Sequence, residues 1–198
     1  MNDNLQDQNS PIDIFTEWFE EAKKIGLKEP SAATVSTATK NGTPSSRILL
    51  LKDFDERGFC FFSNLTSRKG KEIHENPKAS VCFFWDELLK QVRIDGTVER
   101  VSEKEADNYF AQRERGSQIG AWASKQSCVM ENPGDLSNRV EEIAKQFSGG
   151  VIPRPPFWSG FRVVPSEIEF WTAGEFRLNT RILYSKVNGV WEEGRLYP

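Results

Sequence analysis

In residues 11–26, "PIDIFTEWFEEAKKIG", the apolar positions Ile14, Phe15, Trp18, Phe19, Ala22 and Ile25 recur at helical spacing and predict one amphipathic helix. Pro11 suits the first turn, where its missing N–H costs nothing, and Gly26 suits the cap that ends the helix. From Ala33 the period shortens to two. "ATVSTAT" and "SRILLLKDF" flank "KNGTP", whose Asn-Gly pair is the strongest hairpin signal in the chain. "DERG" turns again into "FCFFS". In "SNLTSRKGKEIHENP", Asn64, Thr66 and Ser67 offer N-cap side chains for a short helix that runs to Glu75 and stops at Asn76-Pro77.

Two further strands, "ASVCFFWDE" and "KQVRIDGTVERV", are joined by "LL". Ser102 and Glu105 form a capping box that opens a helix through about Arg113. "GSQIGAWASKQS" reads as irregular or partly helical, residues 135–147 as another helix, and "GGVIPRPPFWSGF" as a Pro/Gly-rich connection. Three strand-like runs follow: "FRVVP", "EIEFWT", and a hairpin "RILYSKV…VWEEGRL" turned at Asn188-Gly189. Many antiparallel strands, few helices and no β-α alternation predict a mainly β fold with peripheral helices, a barrel or sandwich. The expected organisation is one domain over 1–198 with a flexible start at 1–10. No internal repeat, GxGxxG or GxxxxGK[ST] occurs, so a Rossmann or P-loop nucleotide site is not expected.

Composition narrows the function. A length of 198 residues allows a sizeable core, and a net charge of −3 argues against a general nucleic-acid binder or a membrane-surface protein. No apolar run approaches the roughly 18–20 residues that span a bilayer. The polar start "MNDNLQDQNSPID" lacks the apolar region of a secretory signal. Cys60, Cys82 and Cys128 are odd in number and show no CxxC spacing. Cys60 and Cys82 lie in apolar runs, so buried thiols in a reducing cytoplasm are expected. His74 is the sole histidine, which excludes a multi-histidine metal site and disfavours a Ser-His-Asp mechanism. An enzyme of this composition calls for a bound cofactor to carry the hard step.

Three groups of cations and aromatics stand out. Arg68 and Lys69 occupy the first turn of a short helix, the positive end of its dipole, where carboxylates are normally preferred. They mark either a solvated surface or a site for a multiply charged anion. Arg47 and Lys52 bracket "ILLL", either as the charged ends of an edge strand or as further ligands of that anion. Tyr109 and Arg113, four apart, share a helix face with Ser117 just beyond, and this trio can hold a phosphate or simply face solvent. Trp171, Arg177 and Arg181 surround a Gly-containing turn, and core packing explains Trp171 as well as ligand stacking does.

Together "SRILLLK", "FFSNLTSRKGKEI", "KQVRIDG", "RERGSQIGAWASKQS", "FWSGFRV", "IEFW" and "RLNTR" resemble the pyridoxine/pyridoxamine 5′-phosphate oxidase family from about Pro30 onward. The resemblance implies a split β-barrel homodimer with FMN in the groove between subunits. It implies FMN contacts from Arg47, Lys52, Phe62, Ser63, Ser67, Arg68 and Lys69, many around the phosphate. Gln91, Gln126, Ser127, Trp171 and Arg181 would complete the flavin site, partly from the other subunit. Lys52, Tyr109, Arg113 and Ser117 would hold the substrate phosphate, with Arg177 and Asn179 over the substrate ring as the catalytic pair. The implied reaction oxidises pyridoxamine or pyridoxine 5′-phosphate to pyridoxal 5′-phosphate with O2 and releases hydrogen peroxide. No metal, nucleic acid or membrane enters it.

Three departures bear on this expectation. The family usually reads R-L-H-D-R where this chain has Arg177-Leu178-Asn179-Thr180-Arg181, and an asparagine carries neither a proton nor a positive charge near neutral pH. Phe62 stands in place of the more usual tyrosine. The N-terminus is short and shows no basic-aromatic segment to cover a substrate. A flavin oxidase acting on another small ring, and a flavin-binding protein with little oxidase activity, are the competing readings. Retention of Tyr109, Arg113, Ser117 and Arg177 argues against the second.

Overall fold

The computed structural model describes residues 10–198. The expected flexible start therefore falls, up to residue 9, outside the described residues, whereas Ser10 is placed as a helix cap. In chain order the elements are α1 (Pro11–Lys24), β1 (Ala32–Ala38), β2 (Pro44–Leu50), β3 (Asp53–Asp55), β4 (Gly58–Asn64), α2 (Arg68–Glu75), β5 (Lys78–Trp85) and β6 (Lys90–Arg100). They continue with α3 (Glu103–Gln112), α4 (Arg115–Ala123), α5 (Asp135–Gln146), β7 (Trp158–Thr172), β8 (Thr180–Val187) and β9 (Val190–Arg195).

One antiparallel sheet runs β2-β1-β5-β6-β7-β4-β3, and β8 and β9 extend it from a second stretch of β7. The first half of β7 pairs with β4 and its second half with β8, while β6 runs along both. This shared strand divides the barrel. Two separate strands were expected here, "FRVVP" and "EIEFWT", but they form a single strand. Its register shifts opposite Asp95/Gly96, where Ser166 is the extra residue between Pro165 and Glu167. A bulge tolerates proline, which has no ladder N–H to give. Gly96 is required there: a Cβ would stand 2.1 Å from the Val164 carbonyl oxygen.

The helix predicted from the first apolar pattern closes the barrel core. Ser10 and Asp13 form a capping box, and Gly26 adopts φ +80 just past the C-cap Ile25. Phe15 is fully buried, with its ring centroid 4.9 Å from both Phe54 and Phe59 and 5.2 Å from Phe83. The alternation along β5 and β6 sends Val81, Phe83, Val92 and Ile94 inward to meet it. Cys60 is buried as expected, Cys82 is only half-buried, and Cys128 is exposed; all three are free thiols.

The segment read as irregular or partly helical is helical as α4, then irregular from Ser124. Among the described residues no helix is long and apolar enough to cross a membrane.

Candidate active site

Helix α2 begins where β4 delivers the chain. Ser67 is its N-cap, accepting from the Gly70 N–H at 3.3 Å and donating to the Asn64 carbonyl at 2.7 Å. Gly70 sits so close to the preceding turn that a Cβ would lie 2.2 Å from the Leu65 carbonyl oxygen. The two cations at this helix start have different partners. Arg68 donates from Nε to Glu72 at 2.8 Å, one turn on. Glu72 is buried and also accepts from Thr37, Ser45 and, at 3.4 Å, from Arg47. Burial alone would push the Glu72 carboxyl up, but the hydrogen bonds from Ser45, Thr37 and Arg68 outweigh it and bring it down to about 2. Glu72 thus fixes Arg47 and Arg68 around one point.

Among the described residues Lys69 has no such carboxylate. Only 7% exposed, it donates to Ser63 Oγ and Gln126 Oε1, each at 2.8 Å, and to Ser67 Oγ at 3.3 Å. Burial, followed by repulsion from Arg47, lowers its ammonium to about 8. A buried cation held by neutral oxygens fits an arriving anion.

Ser63 and Gln126 carry this cradle into a cavity of about 380 Å³, lined also by Lys52, Phe62, Tyr109, Arg113, Ser117 and Trp158. Such a volume suits a small organic ligand. Phe62 stacks on Tyr109, with centroids 4.0 Å apart, and on Trp158 at 5.5 Å. Gly160 makes room, since a Cβ there would come within 2.8 Å of the Phe62 ring. Arg113 is not the helical residue its spacing implied. It is the extended C-cap of α3, and its guanidinium lies 4.9 Å from the Trp158 ring centroid. Its Nη1 is buried and has no hydrogen-bond partner among the described residues. Burial lowers the Arg113 pKa and raises that of Tyr109. An unpaired buried donor on a charged group costs roughly 1–3 kcal/mol or more, a cost that an anionic ligand relieves.

The structure therefore brings Lys52, Phe62, Ser63, Tyr109, Arg113, Ser117 and Gln126 around one cavity. Arg47, Ser67, Arg68 and Lys69 stand beside it, linked through Ser63, Glu72 and Gln126. Ser127 joins Arg68 in an adjoining depression that shares Gln126. The remaining candidates lie apart. Gln91, Trp171 and Arg181 form one row across β6, β7 and β8. Arg181 donates to Glu169 at 2.7 and 3.1 Å, and this carboxylate raises the arginine's pKa. Arg177 and Asn179 belong to the β7–β8 connection, and none of these five residues lines the cavity.

That connection is unusual. Phe176 and Arg177 take consecutive left-handed conformations, φ 55 and 65. For side-chain-bearing residues each costs roughly 1–2 kcal/mol. Sequence reasoning missed Glu72 and Trp158. The i,i+4 relation of Arg68 to Glu72 was a usable signal for the first. Trp158 lay in a Pro/Gly-rich stretch with no periodicity to place it.

The chain matches two family models: pyridoxamine 5′-phosphate oxidase over residues 19–146 and the pyridoxine 5′-phosphate oxidase C-terminal dimerisation region over residues 158–198. A pyridoxine/pyridoxamine 5′-phosphate oxidase from Rubrobacter xylanophilus is 51% identical over 188 residues, 95% of this chain and 87% of the relative. One from Pelagibacter ubique is 48% identical over 200 residues, 100% of this chain and 96% of the relative. Among solved structures, PhzG from Burkholderia lata in complex with tetrahydrophenazine-1-carboxylic acid superposes with a TM-score of 0.92. It is 32% identical and covers 98% of this chain and 95% of its own. An FMN binding protein from Nostoc punctiforme, related to pyridoxamine 5′-phosphate oxidase, shares the fold with a TM-score of 0.76 at 16% identity, covering 97% of this chain and 100% of its own. On the strength of near-complete coverage at about half identity, the chain belongs to the pyridoxine/pyridoxamine 5′-phosphate oxidase family of oxidoreductases.

Proposed function

We propose that this protein, as a homodimer, oxidises pyridoxamine 5′-phosphate and pyridoxine 5′-phosphate to pyridoxal 5′-phosphate with FMN as cofactor. For the amine, substrate, O2 and water give the aldehyde, ammonia and hydrogen peroxide; for the alcohol, substrate and O2 give the aldehyde and hydrogen peroxide. The observation that carries this reading is the pair of under-compensated cations, Lys69 with neutral partners and Arg113 with a bare Nη1, at adjoining sites.

Lys69, Ser67, Arg68 and Arg47 fit the FMN phosphate, with Glu72 holding the two arginines in place. FMN, when bound, supplies a two-electron acceptor for the hydrogen leaving the substrate's C4′ carbon and passes the electrons to O2. Arg113, Tyr109, Ser117 and Lys52 fit the substrate phosphate, and the Phe62–Tyr109–Trp158 stack walls the cavity. Arg177, with no ion-pair partner among the described residues, is free to orient the pyridine ring. Gln91, Trp171 and Arg181 lie on strands covered by the dimerisation match, or paired with them, which supports their serving the groove from the second subunit.

Anaerobic mixing of the FMN-loaded protein with pyridoxamine 5′-phosphate tests the proposal, and rapid bleaching of the flavin is expected. Asn179 and Thr180 in place of His-Asp favour a second reading, oxidation of another small ring. A carboxylated ring, such as the one held by the PhzG relative, would also pair with Arg113. A flavin that stays yellow with both B6 phosphates but bleaches with a carboxylated dihydro-aromatic acid would favour that reading.

A further inference from the structure

The β7–β8 connection runs from the last paired residues, Thr172 and Thr180, through seven residues whose tip carries Phe176 and Arg177. Its neck is tied in two places. Ala173 N–H donates to the Leu89 carbonyl at 3.1 Å, and Gly174 N–H donates to the side-chain Oδ1 of Asn179 at 3.1 Å. Gly174 also lies flat against the far side of the neck, where a Cβ would be 2.1 Å from the Leu178 carbonyl oxygen. The tip has little packing: Phe176 is 90% exposed and Leu178 70% exposed. One backbone bond, Leu178 N–H to the Glu175 carbonyl at 3.0 Å, closes the turn across Phe176 and Arg177, and the neck ties that turn to the sheet.

We infer that Asn179 is a positioning residue, whose carboxamide oxygen latches the neck of this loop and thereby fixes the direction of Arg177. The inference rests on the oxidase reading for what Arg177 then meets, and on the loop geometry alone for the latch. That carboxamide oxygen accepts from the Gly174 N–H at 3.1 Å across the neck, which places Asn179 to act on Arg177 through the loop. The latch has a chemical consequence. A carboxamide does not titrate, so this acceptor is constant across the working pH range. A histidine at 179 would offer Nδ1 at the same number of bonds from Cα, and would lose it as an acceptor on protonation, near pH 6.5 roughly.

The test uses the FMN-loaded protein and two variants, Asn179→Leu and Asn179→His, with three readouts. These are reduction by pyridoxamine 5′-phosphate, hydrogen exchange of the Gly174 amide, and trypsin cleavage after Arg177. Asn179→Leu is expected to keep FMN and its melting temperature. It is expected to exchange Gly174 faster, to be cut faster after Arg177, and to be reduced about tenfold more slowly or worse, as for a misaligned catalytic group. Asn179→His is expected to behave as wild type at pH 8 and as the leucine variant at pH 5.5, while wild type keeps its latch at both. Wild-type reduction rates and loop protection in Asn179→Leu overturn the latch, as does loss of FMN, which would make Asn179 a cofactor residue. An unreduced wild-type flavin alongside slow Gly174 exchange would condemn the oxidase reading and leave the latch standing.

Discussion

Lys69 is a buried cation and Arg113 a half-buried one with a buried Nη1, and neither has a carboxylate partner among the described residues. For Lys69 the cost appears as an ammonium lowered from 10.5 to about 8 by burial and by Arg47. Folding itself is therefore favoured as pH rises through that window, because the unfolded chain holds the proton longer. Binding of a phosphate runs the other way, since the bound form keeps the proton. FMN affinity should fall as pH rises from about 8 toward 10, by up to about tenfold per unit. Fluorescence titration of the apoprotein with FMN checks this; a flat profile in wild type would contradict it, and Lys69→Arg should flatten it. For Arg113, replacement by alanine should raise the KM for pyridoxamine 5′-phosphate about ten- to a hundredfold, the worth of a charged hydrogen bond. FMN retention should be unchanged. Loss of flavin with it would move this arginine to the cofactor.

The elements show what a periodic pattern can and does not reveal. Phe15, Phe19 and Ala22 were legible as one face of α1 because three side chains recur at the helical period, and all are buried. Phe15→Ala should cost about 3–5 kcal/mol, a cavity at the centre of the aromatic cluster, and lower the melting temperature by roughly 6–20 °C. Calorimetry reads this, and a shift under about 2 °C would show that α1 is not part of the cooperative core. The merger of "FRVVP" and "EIEFWT" into β7 was not legible. Pro165 is a breaker in local sequence, and only the partner strand, with Gly96 opposite, provides the bulge that absorbs it. Arg113 was singled out for the right neighbours by the wrong geometry. Spacing put it on a helix face, whereas it caps the helix and turns toward Trp158, a partner 45 positions away that no local pattern links to it. The basic residues of α2 were legible as a cluster, yet only the fold separates Arg68, neutralised by Glu72, from Lys69, which is not.

At the scale of the whole molecule the candidate residues fall into two sets. One surrounds the cavity and the start of α2, and the other lies along β6, the second half of β7, β8 and the loop between them. Within one chain the second set does not line the cavity, so on the proposed assignment the site is completed by the second subunit of the dimer that the match to the family's dimerisation region supports. Two impaired variants, one weak in substrate binding and one slow in flavin reduction, should then rescue each other when assayed at substrate well below the raised KM. Arg113→Ala and Arg177→Ala dimers, unfolded, mixed and refolded together, should regain activity, because a two-fold dimer of unlike subunits assembles one site free of both changes. No recovery would place both arginines in the same subunit's site. The proposed activity depends most on two neighbouring cationic pockets, each fitted to a phosphate. A crystal of the FMN-bound dimer soaked anaerobically with pyridoxal 5′-phosphate tests that directly. The prediction is one phosphate within hydrogen-bonding distance of Lys69 and Arg68, and a second on Arg113 and Ser117. Either pair facing bulk solvent, with its phosphate elsewhere, would contradict it.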